Sequence, residues 1–221
     1  MIETQAIINN IRQYRIIAIL RDMPQDKLLP VADALFAGGI RLIECTFDHT
    51  REDAVSANCA MIELLANHMR GRMTVGAGTV LTPAEVRATI DAGGEIIISP
   101  NADPAVICAA RGAGAVSVPG AFTPTEVVSA YAAGAHFVKI FPAGSLGADY
   151  IRAIRAPLKH IPMLAVGGVN PEDMPAYLQA GISGFGIGSP LLPAADIERG
   201  DFKAVERRAR AFTDAVNHGG I

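Results

Sequence analysis

Short apolar runs recur along this chain at similar intervals, at residues 16–20, 42–45, 74–78, 95–99, 115–118, 137–140, 163–166 and 184–187. Their hydrophobicity is continuous instead of alternating, as a parallel strand buried on both faces requires. Longer segments of helical character separate them, and several open on the same punctuation: Thr82-Pro-Ala-Glu85, Asp103-Pro104, Thr123-Pro-Thr-Glu126 and Asn170-Pro-Glu-Asp173. The first residue caps free N–H groups, proline suits the first helical position, and an acid in the first turn meets the positive end of the helix dipole. Glycines in Ala37-Gly-Gly39, Ala92-Gly-Gly94, Ala133-Gly134 and Ala180-Gly181 suit left-handed ends that turn each helix back toward a strand. With no Gly/Ser linker and no break in composition over residues 1–221, the pattern predicts one α/β domain, a (β/α)8 TIM barrel. An extra helix over about Thr4 to Tyr14 precedes it and closes one end. A doubly wound open sheet is the rival, but no GxGxxG follows the first run.

The bulk composition narrows the class of function. At 50% hydrophobic and 19% charged residues, with a net charge of -3, the chain has ample apolar material for a core and no basic excess for nucleic acid. Its first residues, MIETQAIINNIRQYR, resemble neither a secretory signal nor an anchor, and no apolar run reaches membrane-spanning length, so a cytoplasmic protein without a membrane partner is expected. Cys45, Cys59 and Cys108 form no CxxC pair and sit in or beside apolar segments, reading as reduced core residues. The five histidines are scattered, with no HExxH and no clustered ligand set. No metal and no cofactor are expected.

In a barrel, catalytic groups gather at the C-terminal ends of the strands. Those ends carry Arg21 after the first run, Glu44 at the second, Thr79 after the third and Ser99-Pro100 at the fourth. They continue with Pro119-Gly120, Lys139, Gly167-Gly168 and Gly188-Ser189. Lys139 stands in the otherwise apolar stretch FVKIFPA, although an ammonium costs several kcal/mol to take out of water unless it is paired or gives up its proton. Its head either snorkels to solvent or pairs with Glu44 for structure, or its pKa is lowered by the flanking Phe137, Ile140 and Phe141. The last case leaves a neutral amine able to form a Schiff base with a ketone. Glu44 either neutralises a neighbour or moves protons as an acid/base beside that imine. Arg21 either pairs with Asp22 or Asp48, or offers its fork to a substrate carboxylate, with Thr79 adding a hydrogen bond. The two glycine pairs are ordinary turns, or they line the seventh and eighth loops, where barrels commonly bind phosphate through backbone N–H groups.

The stretches GAGTVLTPAEV, IISPN, VPGAFTPTEV, FVKIFPA and AVGGVNPED, in that order and spacing, resemble the 2-keto-3-deoxy-6-phosphogluconate/4-hydroxy-2-oxoglutarate aldolase family. The resemblance implies a homotrimeric, metal-independent class I aldolase whose partners are a phosphorylated sugar acid and pyruvate. It puts the Schiff-base lysine on Lys139 and the catalytic glutamate on Glu44. Thr79 and Pro100 then line the pyruvate site, and Gly167, Gly168, Gly188 and Ser189 the phosphate site. Phosphogluconate-type members carry an arginine four residues after the glutamate, where this chain has Asp48, followed by His49. The AILR motif ending at Arg21, and Val166 before the glycine pair, are similar to the 2-keto-3-deoxy-6-phosphogalactonate branch. That branch implies cleavage to pyruvate and glyceraldehyde 3-phosphate, with Arg21 binding the carboxylate. The alternatives are 4-hydroxy-2-oxoglutarate or another 2-keto-4-hydroxy acid, a phosphosugar isomerase or decarboxylase on the same barrel, and a non-catalytic phosphate-binding barrel.

Overall fold

The computed structural model describes residues 3–218. Nine strands lie within that span: β1 (Ile16–Leu20), β2 (Leu42–Thr46), β3 (Thr74–Gly78), β4 (Ile96–Ile98), β5 (Val116–Val118), β6 (Gly120–Ala121), β7 (Val138–Ile140), β8 (Met163–Val166) and β9 (Gly184–Ile187). The helices are α1 (Thr4–Tyr14), α2 (Gln25–Ala37), α3 (Ala54–His68), α4 (Pro83–Asp91), α5 (Pro104–Gly112), α6 (Pro124–Ala132), α7 (Ala143–Arg155), α8 (Met174–Gln179), α9 (Ala194–Arg199) and α10 (Phe202–His218). All pairings are parallel, and the sheet order is β5-β4-β3-β2-β1-β9-β8-β7-β6.

The fold is the expected barrel, with one difference at the fifth run. Pro119 has no N–H to give a neighbouring strand, so that run divides into β5 and β6 on either side of it. The two pieces still close the cylinder. The N–H groups of His136 and Phe137 donate to Ser117 O at 3.0 and 3.3 Å, and the Lys139 N–H donates to Pro119 O at 2.9 Å.

Continuous hydrophobicity hides a period of two. Ile17, Leu42, Ile96, Ile98, Val116, Val118, Phe137, Leu164 and Val166 form one buried cluster inside the barrel. Alternate residues such as Ile16, Ala18, Ile43, Cys45, Val75, Ala77 and Ile97 belong to a second cluster that packs against the helices. The inner cluster also takes in Ile7 and Ile11 of α1, each worth about 1.5–3 kcal/mol on full burial. Thr4 Oγ1 of the same helix donates to Gly114 O at 2.6 Å. The opening helix therefore plugs the barrel end away from the strand C-termini.

Capping matches the sequence pattern in α4 and α6, where Thr82 with Glu85 and Thr123 with Glu126 complete reciprocal capping boxes. Asp103 caps α5 by accepting the Ala105 N–H at 2.7 Å. Asn170 departs from the pattern. Its N–H donates to Asp173 Oδ2 at 3.2 Å in a turn, and α8 begins only at Met174. Cys45 is buried, Cys59 half-buried and Cys108 exposed, so the last is a surface residue and not part of the core.

Gly120 is the tightest point of the closure, since a Cβ there would lie 2.2 Å from Pro100 O. That neighbour is backbone and cannot turn aside. Gly120→Ala is expected to destabilise the protein by about 1–3 kcal/mol, the usual cost of overpacking, as read by equilibrium denaturation. Unchanged stability would mean that the strands separate freely at this seam.

Candidate active site

The inward register delivers two ionisable side chains to the barrel interior. Glu44 pairs with Ile19 of β1 and Gly76 of β3, and Lys139 with Gly120 of β6 and Leu164 of β8. Lys139 shares parity with Phe137, and Glu44 with Leu42, so both follow an apolar residue that fills the layer below. They are 4% and 6% exposed, for Glu44 and Lys139 respectively.

Above them a cavity of about 600 Å³ opens at the C-terminal mouth. Arg21, Glu44, Thr79, Pro100, Lys139, Gly167, Gly168, Gly188 and Ser189 all line it. Pro119 alone among the expected site residues does not. It is buried at the seam between β5 and β6, and its role is the carbonyl that accepts the Lys139 N–H.

Burial governs the electrostatics of the pair. It pushes the Glu44 carboxyl up to about 7, partly offset by the positive charges of Lys139 and Arg21. Burial also lowers the Lys139 pKa, with Glu44 pulling it back up and Arg21 pushing it further down. Among the described residues Glu44 Oε2 has no hydrogen-bond partner, and no ion pair within 4.0 Å joins Glu44 to Lys139. The Lys139 Nζ lies 5.1 Å from the centroid of the Phe141 ring, which also lines the cavity. This arrangement holds an amine inclined to lose its proton beside a carboxyl able to give or take one near neutral pH.

The wall after β8, the strand next to the one that carries Lys139, is built of backbone. Gly167 and Gly168 follow β8 with φ of 89° and 73°, values that a side chain strains to adopt. Gly144, at the start of α7, donates its N–H to Gly167 O at 2.7 Å and ties this turn to the segment that follows Lys139. A Cβ on Gly188 would meet Ile19 only at 3.7 Å, so packing does not demand glycine there and its bare backbone faces the mouth.

Arg21 is exposed at the rim. Asp48 does not engage it: its Oδ1 accepts the Thr50 N–H at 3.0 Å and the Thr50 hydroxyl at 2.6 Å. Arg51 is occupied as well, bonding both Asp53 carboxylate oxygens at 2.8 Å. Among the described residues that line the cavity, Arg21 is the one guanidinium.

A family model described as KDPG and KHG aldolase matches residues 7–208. The chain belongs to the KDPG and KHG aldolase family. It is 39% identical, over 92% of its length and 93% of the relative's, to a protein of Rhizobium meliloti named as a probable 2-dehydro-3-deoxy-6-phosphogalactonate aldolase. A 2-dehydro-3-deoxy-6-phosphogalactonate aldolase of Escherichia coli is 34% identical, over 91% of this chain and 96% of that one. A crystal structure of the KDPG aldolase from Legionella pneumophila, described with pyruvate captured as a covalent carbinolamine, superposes with a TM-score of 0.82. It is 26% identical over 93% of this chain and 97% of that chain.

In this aldolase, sequence reasoning passed over Gly78 and Glu198. Glu198 lines the outer cavity from α9. A Cβ on Gly78 would come within 2.5 Å of Glu44 Oε1, so the glycine makes room for the carboxylate. The signal was present in the repeated glycines of Thr74-Val-Gly-Ala-Gly78, on one face of a strand that pairs with Glu44.

The Glu44 shift has a consequence for stability. Its folded pKa of about 7 lies above the ordinary 4.5, so its contribution is fully present below pH 4.5 and is lost as pH rises through 7. Relative to Glu44→Gln, the wild-type aldolase should lose up to about 3 kcal/mol of unfolding free energy between pH 5 and pH 8. Parallel pH dependence in the two proteins would show that Glu44 keeps an ordinary pKa.

Proposed function

We propose that this aldolase reversibly cleaves 2-keto-3-deoxy-6-phosphogalactonate, also named 2-dehydro-3-deoxy-6-phosphogalactonate, to pyruvate and glyceraldehyde 3-phosphate through a Schiff base on Lys139. The observation that carries the reading is the buried, unbridged Lys139–Glu44 pair in one cavity with Arg21 and the glycine turns. The neutral Lys139 amine attacks the C2 ketone, and the protonated Glu44 carboxyl gives its proton to the departing hydroxyl, so that water leaves the carbinolamine as a protonated imine and a Glu44 carboxylate. The Glu44 carboxylate then takes the C4 hydroxyl proton while the C3–C4 bonding electrons move into the imine, giving an enamine and free glyceraldehyde 3-phosphate. Protonation of the enamine at C3 by Glu44 restores the imine, and water releases pyruvate and Lys139. The imine is the electron sink, so the reaction calls for no metal.

The substrate's ends find complementary walls. Arg21 and Thr79, both in the lining, hold the carboxylate, and the backbone of Gly167, Gly168, Gly188 and Ser189 receives the phosphate. Preference for the galactonate epimer is supported by Asp48 in place of an arginine, by Val166 in the wall near Gly167, and by the two galactonate-type relatives. The same machinery acts on the gluconate epimer or on 4-hydroxy-2-oxoglutarate if the wall tolerates their C4 substituents. A trimer, the assembly the resemblance implies, would give a native mass three times that of the chain.

Side-by-side cleavage of the two phosphorylated epimers, with pyruvate detected enzymatically, tests the substrate. The galactonate compound should have the larger kcat/KM, by at least about tenfold, or about 1.4 kcal/mol of transition-state discrimination. The reverse ratio rejects the assignment. Arg21→Lys keeps the charge but loses the planar fork, so it should raise KM for the sugar acid and for pyruvate by about tenfold with the fold intact. Wild-type KM values in both Arg21→Lys and Arg21→Ala would remove Arg21 from the carboxylate site.

A further inference from the structure

His49 stands in the loop between β2 and α3, outside the cavity lining, at a position where the family resemblance assigns no role. Its ring stacks on the buried Phe47, with centroids 6.0 Å apart and planes 18° apart. Nε2 lies 2.9 Å from Thr79 O. A carbonyl oxygen only accepts, so this nitrogen carries the hydrogen and donates it. Nδ1 lies 3.8 Å from Glu85 Oε1. The other Glu85 oxygen accepts the N–H groups of Leu81 and Thr82, at 2.7 and 3.3 Å, within the capping box of α4. His49 therefore spans from a buried helix cap to the backbone of Thr79.

Thr79 is in a conformation that has to be held. Its φ of 57° places a β-branched residue in the left-handed region. Such strain persists only where the surroundings over-determine the backbone. On one side the Phe47 N–H donates to Gly78 O at 2.9 Å, and on the other the Val80 N–H donates to Ile98 O at 3.1 Å. Those bonds fix the flanking residues to the sheet. The Thr79 carbonyl between them is held by His49.

We propose that His49 is a positioning residue for substrate binding: its Nε2–H bond to the Thr79 carbonyl maintains the left-handed backbone that sets the Thr79 side chain in the cavity wall. The proposal rests on the aldolase reading above, in which Thr79 helps hold the carboxylate. Glu44 and Lys139 are carried by β2 and β7 and are not partners in this bond, so the loss should fall on binding and not on the chemical step. The loop that in phosphogluconate-type members offers an arginine directly to the carboxylate acts here at one remove. Asp48 folds back on Thr50, and the next residue secures Thr79.

The test is a double-mutant cycle between His49 and Thr79, read as kcat and KM for cleavage of the phosphorylated sugar acid, with thermal melting recorded for each protein. His49→Ala should raise KM about tenfold with kcat changed less than about twofold, and His49→Gln, which keeps a donor, should recover most of the loss. Thr79→Gly relieves the backbone strain but deletes the side chain, so His49→Ala should add nothing further in that background. A wild-type KM in His49→Ala overturns the proposal, as does an equal His49→Ala effect with and without Thr79. A fall in melting temperature and kcat that glutamine does not rescue also overturns it, in favour of a purely structural histidine. Wild-type protein that cleaves none of the candidate acids rejects the substrate assigned above, which the wild-type arm alone decides.

Discussion

Desolvation of one amine and one carboxyl inside the same barrel is the constraint on which the rest of this structure depends. Taking either group from water is costly, and the two do not pair closely enough to cancel that cost. Each instead shifts toward its neutral form, Glu44 to about 7 and Lys139 downward. The barrel tolerates the cost because the layers beneath are well filled by Leu42, Phe137, Leu164, Ile17 and the plug from α1. Stability given up at the mouth is thus offset at the opposite end.

Several glycines serve this arrangement by withholding side chains. Gly78 leaves space for the Glu44 carboxylate, Gly120 lets the split fifth strand meet Pro100, and Gly144 lets α7 press against the Gly167–Gly168 turn. The last contact ties the Gly167–Gly168 turn to the segment that follows directly on the strand carrying Lys139.

Much of this was legible in the sequence, for a physical reason. Parallel strands covered by helices on the outside and filled on the inside must be apolar on both faces, and the runs that satisfy this are continuous and short. A lone lysine or glutamate within such a run stands out, as Lys139 and Glu44 do. The same continuity concealed which residues point inward. Pro119 is an instance: it occupies a strand end in sequence, yet its missing N–H puts it at the seam of the barrel, outside the cavity lining. Asn-Pro-Glu-Asp has the order of a capped helix start, but Asp173 draws the segment into a turn first. The left-handed backbone of Thr79 and its bond to His49 had no sequence signature, since a threonine at positive φ is selected by its tertiary neighbours and not by local preference.

The central claim is that burial makes Lys139 the nucleophile, and trapping the imine tests it most directly. Incubation with pyruvate and borohydride, followed by peptide mass mapping, should place one reduced pyruvyl group on the peptide containing Lys139. An adduct on Lys27, Lys159 or Lys203 instead, or no adduct on enzyme shown to be active, would contradict the account.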